Sequence, residues 1–343
     1  MSEPNAAPPG SSRPETRAPG PGEPVGTFAP RVSFVIPLYN CLSLTQAMFR
    51  SLRDTLPHDL SAEFIFVDDG STDGTRSWLE SLADRSVHVL LNLENCGFAA
   101  SVNRGAARAV GEILILLNND LVLTPGWLSP LLRQYARLGS TAGVLGNVQR
   151  RVDNGSIDHA GITINEKGKP EHIQDISAGG PAAWFRGWRK VPAVTGACLL
   201  ISRRLWQELG GFDERFVNGC EDVDLCFRAI SARKTNLVVL RSSVFHHVSS
   251  SVGRKLRDER NTLRLTLKWR DTLALFAARR WSEHYLSEEW RHPRAPTQLR
   301  AAIQVFLHAF RLRHTPPAFV LLGTEAAIEH EIKRWRQDLC LDD

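Results

Sequence analysis

Ile113-Leu114-Ile115-Leu116-Leu117-Asn118-Asn119-Asp120 sets five aliphatic side chains in an unbroken row and then turns abruptly polar. Five apolar residues in succession are too few for a buried helix and read as a strand covered on both faces, as in the middle of a parallel sheet. The chain upstream repeats the pattern. Val32-Ser33-Phe34-Val35-Ile36 reads as a strand ended by Pro37, Ser43 to Leu56 as a helix, and Phe64-Ile65-Phe66-Val67 as the next strand. The run from Asp68 to Gly74 is a turn that caps a helix starting near Thr75. Val87 to Leu91 follows as a third strand and Phe98 to Val110 as a helix. Downstream, Thr124-Pro125 offers an N-cap with proline at the first helical position. Strand and helix alternating four times predict an α/β domain, doubly wound around a mostly parallel sheet.

Ligands of such sheets bind beyond the C-terminal strand ends. Here those ends are Pro37-Leu38-Tyr39-Asn40, Asp68-Asp69, Asn92-Leu93-Glu94-Asn95 and Asn118-Asn119-Asp120, and all are polar. After Ala142 the pattern is less regular. Residues 150–190 read as a hairpin and a long loop, and Val194 to Ser202 as a strand leading into a helix that ends at Gly210-Gly211. A short helix covers Glu221 to Ala232, and strands fall near Leu237–Leu240 and Val244–His246. Three regions result: a Pro/Gly/Ser/Ala-rich tail over 1–30, expected to be disordered, an α/β domain over 31–253, and a helical extension over 254–343.

The 343 residues are 43% hydrophobic and 23% charged, enough for a sizeable core. The six cysteines are scattered without a CxxC pair, which suits free thiols in a reducing compartment better than a disulfide framework or a zinc site. The N-terminus has no basic region followed by an apolar run, and no stretch approaches the roughly 20 apolar residues of a membrane span. A cytoplasmic protein is expected. Residues 254–313 carry 14 Lys/Arg against 6 Asp/Glu, a local excess of +8 in a chain of net charge +5, leaving −3 for the rest.

The absence of GxGxxG after the first strand and of GxxxxGK[ST] removes the main support for dinucleotide dehydrogenases and P-loop NTPases. Without a glycine-rich loop, a diphosphate is held through a divalent cation. Asp120, ending the most apolar strand, is the candidate ligand, although an aspartate there can equally cap a turn. The second cluster is Gly219 to Arg228. As a helix it turns Val223, Cys226, Phe227 and Ile230 to the core and pairs Asp224 with Arg228 on the outer face. Asp222 lies at the edge of that stripe with no basic partner on the helix, as a general base would. His246-His247 ends a short strand. Alone it reads as a packed or capping histidine, and it becomes a ligand if the strand brings it to Asp120.

Taken in order, these segments resemble the family 2 glycosyltransferases, inverting enzymes with the GT-A fold. The resemblance spans about Arg31 to Arg270. It rests on Val35-Ile36-Pro37-Leu38-Tyr39-Asn40, Val67-Asp68-Asp69-Gly70-Ser71-Thr72-Asp73, Asn95-Cys96-Gly97-Phe98-Ala99 and Asn103-Arg104-Gly105 in the first half. Leu117 to Asp120, Thr195-Gly196-Ala197-Cys198, Gly210 to Glu214, Glu221 to Leu225 and Val244 to His247 complete it. The resemblance implies that Pro37, Tyr39 and Asp69 hold the nucleotide base, with Asn103 and Asn119 near the ribose and diphosphate. It implies that Asp120 is the last residue of a DxD motif binding Mg²⁺ or Mn²⁺, that His246 completes the metal site, and that Asp222 is the catalytic base. The donor would be a nucleotide-diphosphate sugar and the acceptor a saccharide or lipid-linked saccharide, in cell-surface polysaccharide or glycoconjugate synthesis.

Asn118 and Asn119 stand where the motif has more carboxylate, so metal affinity should lean on the donor diphosphate. Asn-Asn-Asp followed by Gly126-Trp127 looks like the rhamnosyltransferase-type branch. In the basic segment, Leu299, Ile303, Phe306 and Phe310 form a helical stripe, expected to pack on the catalytic domain. The alternative is a peripheral contact with an anionic membrane at its inner face. No nucleic-acid-binding module accompanies the basic residues, which argues against a nucleic-acid partner. Two other functions compete. A nucleotidyltransferase wants a glycine-rich, basic loop after the first strand, which Pro37 to Asn40 does not offer. A non-catalytic nucleotide-sugar binder would explain the thinned metal motif.

Overall fold

Seven consecutive buried residues make up each of β1 (Val32–Leu38) and β2 (Ala62–Asp68), which pair in parallel from Val32↔Ala62 to Leu38↔Asp68. They lie in a computed structural model that describes residues 31–82, 84–179, 185–247, 254–291 and 299–341. The expected disordered tail over 1–30 falls outside these residues. β3 (Val87–Leu91) pairs with β2, and β4 (Ile113–Leu117) with β1, both in parallel. Helices α1 (Leu42–Thr55), α2 (Thr75–Glu80) and α3 (Phe98–Arg108) make the crossovers. This half is the doubly wound unit read from the sequence.

The second half is mixed. β5 (Leu121–Leu123), α4 (Leu128–Leu138), β6 (Ala142–Arg151) and β7 (Ile157–His159) follow, then a small antiparallel hairpin of β8 (Ile162–Ile164) and β9 (Pro170–His172). β10 (Trp188–Lys190), β11 (Cys198–Ser202), α5 (Arg203–Leu209), α6 (Glu221–Ser231) and β12 (Thr235–His246) complete it. The main sheet runs β10-β12-β6-β11-β4-β1-β2-β3, with β11 antiparallel to both neighbours.

Several expectations are corrected here. Thr124 does not cap a helix: the chain first forms β5 against β12, and the Thr124 hydroxyl donates to the Ser243 carbonyl at 2.7 Å, so α4 begins only at Leu128. The two strands expected near 237–240 and 244–246 are one strand. Its register against β6 slips between Val239 and Ser243, and that irregularity interrupts the apolar alternation.

Alternate residues of each strand serve opposite faces. Phe34 and Ile36 meet Met48 and Leu52 of α1 and Trp127 and Leu131 on one side. Val35, Ile65 and Val67 meet Val102 of α3 and Phe227 of α6 on the other. A Cβ at Gly105 would lie 2.6 Å from Val35 Cγ1, so α3 sits this close to the sheet only with glycine there. The second cluster continues without a break into α7 (Arg254–Arg291) and α9 (Ala318–Asp338) through Leu273, Ala277, Ile332 and Trp335. The core therefore does not divide at residue 253. Helix α7 bends at Trp269, whose φ of −124° and ψ of 28° are non-helical.

The expected outer-face pair of Asp224 and Arg228 forms at 2.8 Å, but Asp224 is fully buried. Its carboxylate also takes Lys268 Nζ at 2.7 Å and Trp269 Nε1 at 2.7 Å, so the bend in α7 closes over it. The stripe expected to pack inward from α8 (Leu299–Ala309) does not. Ile303, Phe306 and Phe310 are 50%, 47% and 63% exposed, and Val305 and His308 are buried in their place.

Candidate active site

The loop after β1 holds Asn40 and Cys41 in the left-handed region, at φ of 56° and 61°. Such backbone costs about 1–3 kcal/mol per residue and persists only where surrounding bonds enforce it. Here Asn40 Oδ1 accepts from Thr72 N at 2.8 Å and Asp73 N at 3.3 Å, while Asn40 N donates to Ser71 Oγ at 2.7 Å. The loops after β1 and β2 are thereby locked together. Asp69, 4% exposed, ties in the next loop. Its Oδ1 accepts from Asn92 Nδ2 at 2.7 Å and Cys96 N at 2.8 Å, and its Oδ2 from Gly97 N at 2.9 Å. Pro37 is buried within β1, and Tyr39 stands half exposed just beyond it.

Beyond β4, Asn119 spends its amide hydrogens on Thr45 Oγ1 at 2.9 Å and the Asn40 carbonyl at 3.4 Å. Asn118 Oδ1 is buried without a hydrogen-bond partner. Pairing of β5 with β12 sets His246 opposite Leu121, and His247 N donates to the Asp120 carbonyl at 3.0 Å. His246 Nε2 then lies 3.2 Å from Asp120 Oδ1. Despite that distance the approach is not along a hydrogen-bond direction, and Asp120 Oδ1 counts among the buried atoms without a partner, as does His246 Nδ1. Two ligand atoms bound cis to one octahedral cation at ~2.1 Å would stand about 3 Å apart. The pair fits a divalent metal. No group of three His, Cys, Asp or Glu suited to a metal occurs among the described residues.

Both amide hydrogens of Asn103 are taken within the chain. Its Nδ2 donates to the Phe212 carbonyl at 2.9 Å and to Glu214 Oε1 at 2.8 Å, and its Oδ1 accepts from Phe212 N at 2.8 Å. The residue fastens the Gly211–Glu214 loop to α3.

Asp222 opens α6 after two further left-handed residues, Asn218 and Cys220. Its Oδ2 accepts from Gly196 N and its Oδ1 from Val223 N, both at 2.8 Å. The segment that holds it also reaches β4, because the Ala197 carbonyl accepts from Asn118 N at 2.9 Å. Gly196-Ala197 thus bridges the candidate base to the Asn118-Asn119-Asp120 turn. Burial raises the pKa of Asp222 above the usual carboxylate range, against the pull of its two backbone donors and of His172. Burial also raises that of Glu221, helped by the neighbouring Asp222 charge. Two adjacent carboxyls, Glu221 buried and Asp222 half-buried, resist double ionisation, so Glu221 holds its proton when Asp222 has lost its own.

Raised carboxyl pKa values give a definite pH trend. Between the unfolded and folded values the native state binds more protons, so stability present at low pH is lost as pH rises through the folded value. Glu221→Gln removes this loss while keeping an acceptor for Gly219 N. Its melting temperature should match the parent's near pH 4 and exceed it at pH 9. A gap that does not widen with pH would contradict a raised Glu221.

Two histidines that the sequence left in an irregular region border this site. His159 of β7 is fully buried, with Thr195 N donating to its Nε2 at 3.4 Å and its Nδ1 unpartnered. Burial first, then His172 and His246, hold it well below the usual imidazole pKa, hence neutral. His172 of β9 stands edge-on to it at 4.8 Å. Neither lies in a periodic segment, and no sequence signal marked them.

The family model described as "Glycosyl transferase family 2" matches residues 33–210. O-antigen biosynthesis protein RfbC of Myxococcus xanthus is 30% identical over 233 residues, which are 65% of this chain and 18% of that protein. This chain therefore spans less than a fifth of that relative. An N-acetylglucosaminyl-diphospho-decaprenol L-rhamnosyltransferase of Mycobacterium tuberculosis is 28% identical over 222 residues, 55% of this chain and 68% of that protein. Among solved structures, GalNAc-T7 with UDP, GalNAc and Mn²⁺ superposes with a TM-score of 0.59 at 16% identity, covering 92% of this chain and 57% of the other. That likeness is one of fold, the GT-A arrangement.

Proposed function

We infer the reaction from one premise: the chain belongs to glycosyl transferase family 2. The protein moves a sugar from a nucleotide-diphosphate donor to an acceptor hydroxyl, by one displacement that inverts the anomeric carbon. The observation that carries this reading is the bridge from Asp222 through Gly196-Ala197 to the Asn118-Asn119-Asp120 turn, where Asp120 Oδ1 and His246 Nε2 stand 3.2 Å apart. A base and a metal-ligand pair are fixed to one short segment.

Asp222 takes the acceptor proton as the acceptor oxygen bonds to the anomeric carbon, and the bond from that carbon to the diphosphate breaks on the opposite side. Asp120 and His246 would hold Mg²⁺ or Mn²⁺, which offsets the charge of the departing diphosphate. Pro37, Tyr39 and Asp69 form the nucleotide side, where Asp69 Oδ2, bonded once to Gly97 N, retains capacity for a ring N–H. Asn119 lines the diphosphate side, and Asn103 contributes by fixing the Phe212 loop.

The solved relative was obtained with UDP and Mn²⁺, which supports a nucleotide-diphosphate donor with a divalent cation. The names of the two sequence relatives support a rhamnosyl donor, a lipid-linked acceptor and a place in surface-polysaccharide synthesis. Among the described residues no helix is long and apolar enough to cross a membrane. The protein would meet such an acceptor from the cytoplasmic face.

A thermal-shift screen of nucleotide-diphosphate sugars, with and without Mn²⁺, tests the donor reading. A donor at 100 times its Kd adds about 2.7 kcal/mol to stability. We expect a shift that needs both donor and metal, and Asp120→Ala should abolish the metal-dependent part. If that variant kept it, the metal would be held elsewhere.

A further inference from the structure

Helix α8 shows its apolar stripe to the outside. Ile303, Phe306 and Phe310 recur at helical spacing, the last through Phe310 N, which donates to the Phe306 carbonyl at 3.0 Å, and all three are exposed. The rings of Phe306 and Phe310 stand 4.5 Å apart, centroid to centroid. Leu312, just past the helix, is 70% exposed.

The other face of α8 fixes this orientation. Val305 is fully buried and packs with Ala278 of α7 and Val320 of α9. His308 Nδ1 lies 2.9 Å from the buried Ser282 Oγ. The end is fixed too: Arg311 takes a left-handed φ of 64°, and Arg313 N donates to the Leu307 carbonyl at 2.9 Å. The stripe is therefore held outward by a packed helix.

Charge around the stripe has one sign. Between Glu289 and Glu325 the sequence has no Asp or Glu, but it has arginines at 291, 294, 300, 311 and 313. Arg311 lines the groove beside Arg279. Arg300 is exposed one turn before Ile303, and the half-buried Arg313 follows Leu312.

Two partners compete for such a face. A two-fold dimer sets the same patch against itself, and Arg300 and Arg313 of both copies would meet with no carboxylate on this stretch to receive them. The patch is also small for a dimer. Ile303, Phe306, Phe310 and Leu312 expose roughly 450 Å² together, against about 800 Å² per partner in a stable interface. An anionic bilayer suits both properties, because apolar side chains enter below the headgroups while arginines stay among the phosphates.

We propose that α8 and the turn after it dock the protein on an anionic membrane, with Ile303, Phe306, Phe310 and Leu312 inserted and Arg300 and Arg313 on the lipid phosphates. This surface goes beyond the sugar-transfer reading and does not depend on it.

The full chain, without donor or metal, is sedimented with vesicles of phosphatidylcholine alone or with about one third phosphatidylglycerol. It should bind the anionic vesicles about tenfold or more tightly than the neutral ones, and less in about 0.5 M NaCl. Phe306→Ser with Phe310→Ser should weaken anionic binding about tenfold or more. Arg300→Gln with Arg313→Gln should narrow the preference for anionic vesicles about fivefold or more. Leu312→Glu, outside the helix, should weaken binding in the same direction at an unchanged melting temperature. If the serine variant melts lower than the parent, Leu312→Glu decides alone.

Equal binding to both kinds of vesicle overturns the proposal, as does anionic binding that survives the phenylalanine and Leu312 changes. A dimer in sedimentation velocity that Phe306→Ser with Phe310→Ser dissociates would give the stripe to a second copy and overturn it too. Absent sugar transfer with vesicle binding intact would instead count against the glycosyltransferase reading alone.

Discussion

We expect Asp222→Asn to lower the turnover of sugar transfer about a thousandfold, within the range general-base catalysis supplies, and to leave donor affinity unchanged. The asparagine keeps an oxygen for one of the two backbone donors, Gly196 N or Val223 N, and loses the acceptor for the other together with the proton acceptor, so unchanged donor affinity is the check that the start of α6 stays in place. The pH profile gives an independent check. Burial raises the Asp222 pKa, so the parent's kcat/KM should climb with pH through an acid limb above the ordinary carboxylate range. In the variant that limb disappears. Unchanged turnover, or an acid limb that survives the substitution, would take the base role from Asp222.

The largest expected loss of stability comes from Asp224→Ala. Three donors converge on that carboxylate: Arg228 Nε, Lys268 Nζ and Trp269 Nε1. Removing it leaves a half-buried guanidinium and an ammonium short of their counter-charge, and breaking buried ion pairs costs about 3–5 kcal/mol. Urea titration followed by tryptophan fluorescence should show a midpoint lowered by that loss divided by the slope, with the slope itself unchanged. Lys268 retains Asp213 at 3.0 Å and Arg228 Nη1 retains the Leu209 carbonyl, which places the expected loss toward the lower end. A loss below about 1 kcal/mol would mean that the network does not hold α6 to α7.

The alternation of strands and helices up to Leu117 was legible because β1, β2 and β4 are covered on both faces and show it as runs of apolar residues. Strand ends were legible for the same reason: polarity returns where cover stops. The family, too, followed from the ordered motifs. What could not be read is whatever depends on pairing between distant segments. Nothing in Leu121 to Leu123 says that it lies against Val244 to His246, yet that pairing brings His246 to Asp120. Thr124 had the chemistry of a cap and was claimed by a carbonyl 119 positions away. Asp224 had a partner four residues on and an outward place on the helical wheel, until the bend at Trp269 covered it. His172 shows the same limit. Its influence on Asp222 comes from a hairpin with no apolar rhythm. In the α8 stripe, periodicity identified an apolar face without telling whether protein or another phase lies against it.

The buried Asp224 junction sets a rule for recombining this protein with its relatives. The match to the family model ends at residue 210, whereas the carboxylate and the side chains that donate to it lie at 224, 228, 268 and 269. A chimaera joined between residues 232 and 260 inherits the acid from one parent and its lysine and indole from the other. Unless both parents carry matching halves, the hybrid leaves the buried Asp224 to Arg228 alone, without the Lys268 and Trp269 donors. Junctions placed before Asn218 or after Trp269 keep the two halves together, and exchange of the C-terminal helices should succeed there first.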